Sequence, residues 1–311
     1  MLKNIVFTLM VGVFLILVIC MYLYGVNSNS YYRRRNRPFT IGIAGDSGAG
    51  KSRLLAMLKE LLSEDHILCV EGDGDHKWER GNVNWKEMTH LNPQANYLYR
   101  QAEDLQILRG NNTIRRADYD HETGTFTSKK RLTPKPYIVM CGLHSLYLPQ
   151  MRQALDMKIY LDTDEDLRCY WKMQRDQDGR GYDKAEIMAQ MKARREDAKR
   201  YIHPQKQYAD LVIRYFDPVL PAKGSQAVDY EASLSVEFLM DVGINAESML
   251  ALLRDQGVCG VLTYDDLLHQ KIVFRNEDLK VDKEFWETVA CSAIPQIEDL
   301  TGGSILWEEG A

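Results

Sequence analysis

Eight consecutive residues, Gly45-Asp46-Ser47-Gly48-Ala49-Gly50-Lys51-Ser52, carry the most specific chemistry in the chain. Glycines followed by a Lys-Ser pair at this spacing make a loop that wraps a phosphate group. Gly45, Gly48 and Gly50 can take backbone conformations that a Cβ forbids, so successive N–H groups can turn toward one anion. Lys51 would then reach the outer phosphates, and the Ser52 hydroxyl would ligate Mg²⁺. Such a loop needs a strand to present it and a helix behind it, whose N-terminus adds partial positive charge. Both can be read beside it. Phe39-Thr40-Ile41-Gly42-Ile43-Ala44 is apolar and β-branched enough for a buried strand, and Arg53 to Leu62 carries a helical apolar stripe. A glycine-rich turn that merely precedes a helix would not need all four parts in register. The spacing predicts a site for a nucleoside triphosphate with Mg²⁺.

A second polar cluster follows. Ile67-Leu68-Cys69-Val70 reads as another buried strand, and it delivers Glu71-Gly72-Asp73-Gly74-Asp75-His76-Lys77-Trp78-Glu79-Arg80. Acids, a histidine and an arginine at the C-terminal end of a strand stand where an α/β sheet builds its site. On composition alone a polar surface loop fits this stretch equally well.

The elements that must position these residues come from the whole chain. With 311 residues there is room for one sizeable domain and a smaller one. A net charge of −5 gives no pull toward nucleic acid. Six cysteines without a C-x-x-C pair argue against a zinc site or a disulfide framework. Ile5 to Tyr24 runs twenty residues without a charge, enough to span a bilayer as a helix. A cleavable signal peptide would have a shorter apolar region and a small-residue cleavage site. Lys3 on one flank faces Arg33, Arg34, Arg35 and Arg37 on the other. The positive side stays cytoplasmic, so the expectation is a single-pass protein of the inner or plasma membrane with its catalytic part in the cytoplasm.

Further motifs then accumulate in a fixed order. After Asp73-x-x-His76-x-x-x-Arg80 come Leu91-Asn92-Pro93-Gln94-Ala95-Asn96 and Tyr119-Asp120-His121-Glu122-Thr123-Gly124. Cys141-Gly142-Leu143-His144 follows the strand Tyr137 to Met140. Next come Tyr160-Leu161-Asp162, Trp171-Lys172-Met173-Gln174-Arg175-Asp176 with Arg180-Gly181, and Tyr201-Ile202-x-Pro204-Gln205-Lys206-Gln207-x-Ala209-Asp210. Together they resemble the phosphoribulokinase/uridine kinase family over roughly residues 39 to 216, closest to the phosphoribulokinase form of plants and cyanobacteria.

The resemblance implies a P-loop α/β fold, a mostly parallel sheet flanked by helices. It makes Asp73 the general base and a Mg²⁺ ligand beside Ser52. His76, Arg80 and Lys172 would hold a sugar phosphate, with Tyr119 and His121 of the matching motif in the same pocket. Arg175, Asp176 and Arg180 would belong to a lid closing over the triphosphate, Arg175 and Asp176 sharing in catalysis with Lys51. Two positions depart from the pattern. The family has a glutamate where Cys141 stands, and a thiol is a poor ligand for so hard a cation. Asp75 is a carboxylate that could move in. Plant forms have a cysteine inside the phosphate loop where this chain has Ala49, so thiol regulation there is not expected.

The expected organisation is an anchor at 1–26, a basic linker at 27–38, a kinase domain at 39–220 and a small α+β module at 221–311. Ala185 to Arg200, with Ile187, Met188 and Met191, reads as a surface helix on the sheet. In the C-terminal part, Ser233 to Met240 and Gln270 to Phe274 read as strands. Ala246 to Gln256 and Phe285 to Thr301 read as helices, the second interrupted at Pro295. The expected acceptor is a pentose phosphate, with D-ribulose 5-phosphate first. The alternatives are a nucleoside such as uridine, another sugar phosphate, or no acceptor at all in a nucleotide-binding scaffold at the membrane. Homo-oligomerisation through the C-terminal part is compatible with the sequence.

Overall fold

In the computed structural model, residues 37–180, 183–218, 234–275 and 283–293 are described. The expected anchor and all but the last two residues of the basic linker lie outside them. Among the described residues no helix is long and apolar enough to cross a membrane.

Twelve strands and seven α-helices follow one another in the described chain. The strands are β1 (Phe39–Gly45), β2 (Ile67–Glu71), β3 (Ile114–Arg116), β4 (Tyr119–Asp120), β5 (Thr125–Phe126), β6 (Lys130–Leu132) and β7 (Tyr137–Gly142). They continue with β8 (Met157–Leu161), β9 (Leu211–Phe216), β10 (Ser235–Asp241), β11 (Gly260–Tyr264) and β12 (His269–Phe274). The helices are α1 (Lys51–Leu62), α2 (Leu98–Arg109), α3 (Pro149–Ala154), α4 (Glu165–Arg180), α5 (Lys184–Asp197), α6 (Ala246–Asp255) and α7 (Lys283–Ala293).

One sheet of eight strands organises them, in the order β11-β12-β10-β9-β8-β1-β7-β2. The five strands from β2 to β9 are parallel. Their residues are nearly all buried, as expected of strands covered on both faces. Alternation along them divides the core in two. Ile41, Ile43, Val139 and Ile159 face α1 through Leu54, Leu55 and Leu58. Ile138, Met140 and Val70 face α2 and α3 through Leu105, Leu108 and Met151.

The described residues after 221 are α+β in content, and their strands continue the same sheet. β10 pairs antiparallel with β9, β12 with β10 and β11 with β12. Phe238, Phe274, Phe285 and Trp286 join the α1-side core, with Phe238 and Phe274 ring centroids 5.5 Å apart. The described residues from Pro38 onward belong to one compact unit.

The surface helix expected over Ala185 to Arg200 is α5. On α5 only Ile187 is buried, whereas Met188 is 51% exposed. The helix packs against α4 and opens with a capping box between Asp183 and Glu186. Charges on most of its circumference keep the two methionines from defining a core face.

Candidate active site

The phosphate loop spans the end of β1 and the start of α1. Gly48 and Gly50 have φ of 86° and 94°, a left-handed region that glycine enters without strain. A Cβ on Gly48 would also stand 3.2 Å from the Cβ of Lys172 on α4. The loop is clamped from two further elements. Thr163 donates to the carbonyl of Ala49 at 2.9 Å, and the Arg168 guanidinium donates to that of Ser47 at 2.9 Å. Lys51 Nζ donates to the carbonyls of Gly45 and Asp46, at 2.8 and 2.9 Å, so it lies folded within the loop. Ser52 is exposed at the first turn of α1. Asp46 is buried. It accepts from the Ser47 N–H at 2.6 Å and lies 3.6 Å from both Arg168 and His203. Burial would raise its carboxyl, but His203, Arg168 and the Ser47 amide together hold it below the ordinary value.

The second cluster follows β2, where the chain turns through Gly72–Asp75. Asp73, 29% exposed, is held by two histidines: His121 Nε2 at 3.1 Å and His76 Nε2 at 3.5 Å. Burial opposes its charge, yet the His121 hydrogen bond and the nearby His76, His121 and Lys51 keep Asp73 well below the usual carboxylate range. It is ionised at neutral pH. His76 is itself pushed down, chiefly by burial, and is neutral there. Its buried Nδ1 has no hydrogen-bond partner among the described residues. Tyr119 lies edge-on to both rings, with centroids 5.5 Å from His76 and 5.3 Å from His121.

Arg80 and His121 belong to one construction. Arg80 donates to the carbonyls of His121 and Glu122, and its own N–H bonds the Gly124 carbonyl at 2.8 Å. In this structure Arg80, expected on a sugar phosphate, fixes the β4–β5 hairpin that carries His121. Asp75 is corrected outright. It is fully buried between Arg100 at 2.7 Å and Arg116 at 3.0 Å, so it is not a mobile spare ligand. Removing one partner of such a buried group costs about 3–5 kcal/mol.

Lys172 and Asp176 are both buried and bonded to each other one turn apart on α4, against the phosphate loop. Arg175 and Arg180 lie on the same helix, where the structure describes their backbone alone. Part of the expected lid is therefore docked on the loop.

Other motif residues turn out to be scaffold. Gln205 accepts from the Leu146 N–H and donates to the Leu143 and Tyr201 carbonyls. His144 and Asn96 pin the 90–96 loop through the carbonyls of Leu91, His90 and Asn92. Sequence reasoning missed His90 and Trp85. Their ring centroids are 3.7 Å apart, and His90 lies 4.7 Å from His76, closing an aromatic wall on the Asp73 pocket. A tryptophan and a histidine five residues apart in a polar loop carry no periodic signal that could have revealed it.

For Mg²⁺, the donors present are the Ser52 hydroxyl and the Asp73 carboxylate. That set fits a cation which takes one or two carboxylates and otherwise phosphate and water oxygens. Cys141, at the end of β7, does not add to it. It is buried, and burial pushes its thiol up to about 12.

A mostly parallel sheet with a phosphate loop after β1, and an acid at the end of β2, defines an α/β fold of the P-loop class. Residues 40–220 match the Phosphoribulokinase / Uridine kinase family, and the chain belongs to that family. It is 37% identical over 188 residues to a phosphoribulokinase of Synechocystis sp., covering 60% of this chain and 55% of that protein. A uridine kinase of Alkaliphilus metalliredigens is 31% identical over 185 residues, 57% of this chain and 88% of its own length. The chain spans about half the length of the curated phosphoribulokinases it matches. Phosphoribulokinase from Rhodobacter spheroides shares the fold at a TM-score of 0.68 and 16% identity, over 85% of this chain and 99% of that one.

Proposed function

We propose that this chain is an ATP-dependent kinase that transfers the γ-phosphate to a hydroxyl of a pentose phosphate, with D-ribulose 5-phosphate first among acceptors. The observation that carries the reading is the Asp73 carboxylate, held by His121 and His76 at the end of β2. β2 lies two strands from the β1 that presents the phosphate loop. The acceptor oxygen attacks the γ-phosphorus, the bond to the β-phosphate oxygen breaks, and the hydroxyl proton passes to Asp73. Phosphoryl transfer asks mainly for in-line placement and charge neutralisation. Lys51 and the loop amides supply part of that neutralisation. Mg²⁺, held by Ser52 and Asp73, would supply the rest on the phosphate oxygens. His121 hands Asp73 over when the acceptor hydroxyl arrives, while the neutral His76 and Tyr119 bound the pocket. Arg175 and Arg180 would close toward the triphosphate with the end of α4.

Two other acceptors fit the same machinery: a nucleoside, since uridine kinases are among the relatives, and another sugar phosphate. A scaffold that binds nucleotide without transferring it is favoured by one observation, the buried thiol at Cys141. The proposal includes the N-terminal anchor, with the kinase on the cytoplasmic face and residues 221–311 free to serve self-association.

The test is ADP release by the full chain in mild detergent, with ribulose 5-phosphate, other pentose and hexose phosphates, uridine and cytidine. Turnover on one sugar phosphate should fall about 10²- to 10⁴-fold in Asp73→Asn, as for loss of a general base. Turnover on uridine alone would move the protein to the nucleoside branch. Tight ATP binding with no turnover on any acceptor would leave the scaffold.

A further inference from the structure

The position held by Cys141 has a neighbour that the sequence does not reveal. In the parallel pairing of β2 with β7, Glu71 is in register with Cys141, as Cys141 is with Ile43 of β1. In-register residues of parallel strands point to the same face, and neighbouring strands lie about 4.8 Å apart. The face can be identified. Ile67 and Cys69, which alternate with Glu71 along β2, belong with Cys141, Ile43 and the apolar side of α1. Leu68 and Val70 turn to the other side. Glu71 therefore stands at the C-terminal end of its strand, on the face of the phosphate-loop helix, one strand over from the thiol.

Its side chain is exposed. That side chain makes no hydrogen bond or ion pair with another described residue; Arg116 bonds the backbone carbonyl instead. Other nearby carboxylates are committed. Asp75 is locked between two arginines, and Asp104 pairs with one of them. Asp46 is tied to the Ser47 amide. Glu71 is also two residues from Asp73. Its charge and that of Asp73 both act on the Cys141 thiol, as does that of Lys51, so the four side chains share one neighbourhood.

We propose that Glu71 provides, from the adjacent strand, the carboxylate that the family pattern puts at position 141, and that it holds the Mg²⁺ of bound Mg·ATP directly or through the cation's water. Mg²⁺ keeps several of its waters, so an acid displaced by one strand can still hold it. The buried thiol then fills space beside that acid. The inference rests on the reading that the loop binds Mg·ATP.

Calorimetry of ATP binding to the full chain, with and without Mg²⁺, tests it. Glu71→Gln should erase about ten- to hundredfold of the gain in affinity that Mg²⁺ confers, the range seen when a supporting group of a metal site is removed. Metal-free ATP affinity should stay as in the wild type. Adding Cys141→Glu to Glu71→Gln should restore the Mg²⁺-dependent gain. A glutamate at buried position 141 can cost folding, so the single variant at the exposed position carries the decision, with its thermal midpoint as the folding check. If wild type and Glu71→Gln gain equally from Mg²⁺, the inference is overturned and the kinase reading stands. If the wild type binds no ATP under either condition, both fall together.

Discussion

At the scale of single residues, three buried or half-buried histidines stand in and behind the Asp73 loop. Burial pushes His144 down to about 4 and His90 down to about 2, and His76 is lowered as well. Each holds a proton more readily in the unfolded chain than in the folded one. Their contribution to stability is complete above the ordinary histidine value near 6.5. It is lost as pH falls from there toward the folded values. Asp104 works in the opposite sense. Burial raises it to about 6, so the fold gains from it as pH drops below that point. With His90 and His144 against one aspartate, urea unfolding should show stability falling by on the order of 1 kcal/mol per pH unit between about 6.5 and 4, and His76 acts in the same direction. A flat profile over that window would mean that the histidines are not neutral and buried together. Asp73, already ionised, adds its own loss only below the ordinary aspartate value. Asp73, His76 and the phosphate loop were legible because each sits in a short local motif. Glu71 and His90 were not, because what makes them interesting is a strand register and a ring stack, neither of which has a sequence spacing.

Among the elements, the sheet was readable in its buried parallel strands and less so at its margins. β1, β2, β7 and β9 are short, largely apolar runs rich in β-branched or aromatic residues, and their composition alone marks them. β11 escaped because it is an edge strand with Val261 and Tyr264 exposed, so no alternation shows. The short hairpin strands β3 to β6 are two or three residues each, below the length at which a period exists. The C-terminal residues looked like a module of their own because the motifs stop before them. Pairing of β10 with β9 brings them into the central sheet instead. Phe238, fully buried among Phe274, Phe285 and Trp286, is the test of that continuity. Phe238→Ala should cost about 3–5 kcal/mol. Tryptophan fluorescence and circular dichroism should still report one coincident unfolding transition. Two separated transitions would show a lobe that folds by itself.

For the molecule as a whole, the proposal that residues 5–24 anchor the chain makes a physical prediction of its own. The full chain should float with lipid vesicles through a density gradient and resist extraction by high salt or carbonate. A chain held only by Arg33, Arg34, Arg35 and Arg37 would be released by salt, because attraction to anionic head groups is screened within a Debye length. Recovery of the protein in the salt wash would remove the anchor from the account without touching the kinase.

The order of strands in the sheet has a consequence for how the chain is made. β1 is the first strand of the sheet to leave the ribosome, but its partners are β7 and β8, the nearer of them about a hundred residues later. At roughly 5–20 residues per second, this buried strand waits on the order of 5–20 s with both edges unpaired. Its pairings are non-local, which places folding of this core on the slow side. During that interval the nascent chain presents a sticky, unsatisfied β-edge. A chaperone that shields it should therefore raise the yield of folded protein more than any stabilisation of the finished sheet would.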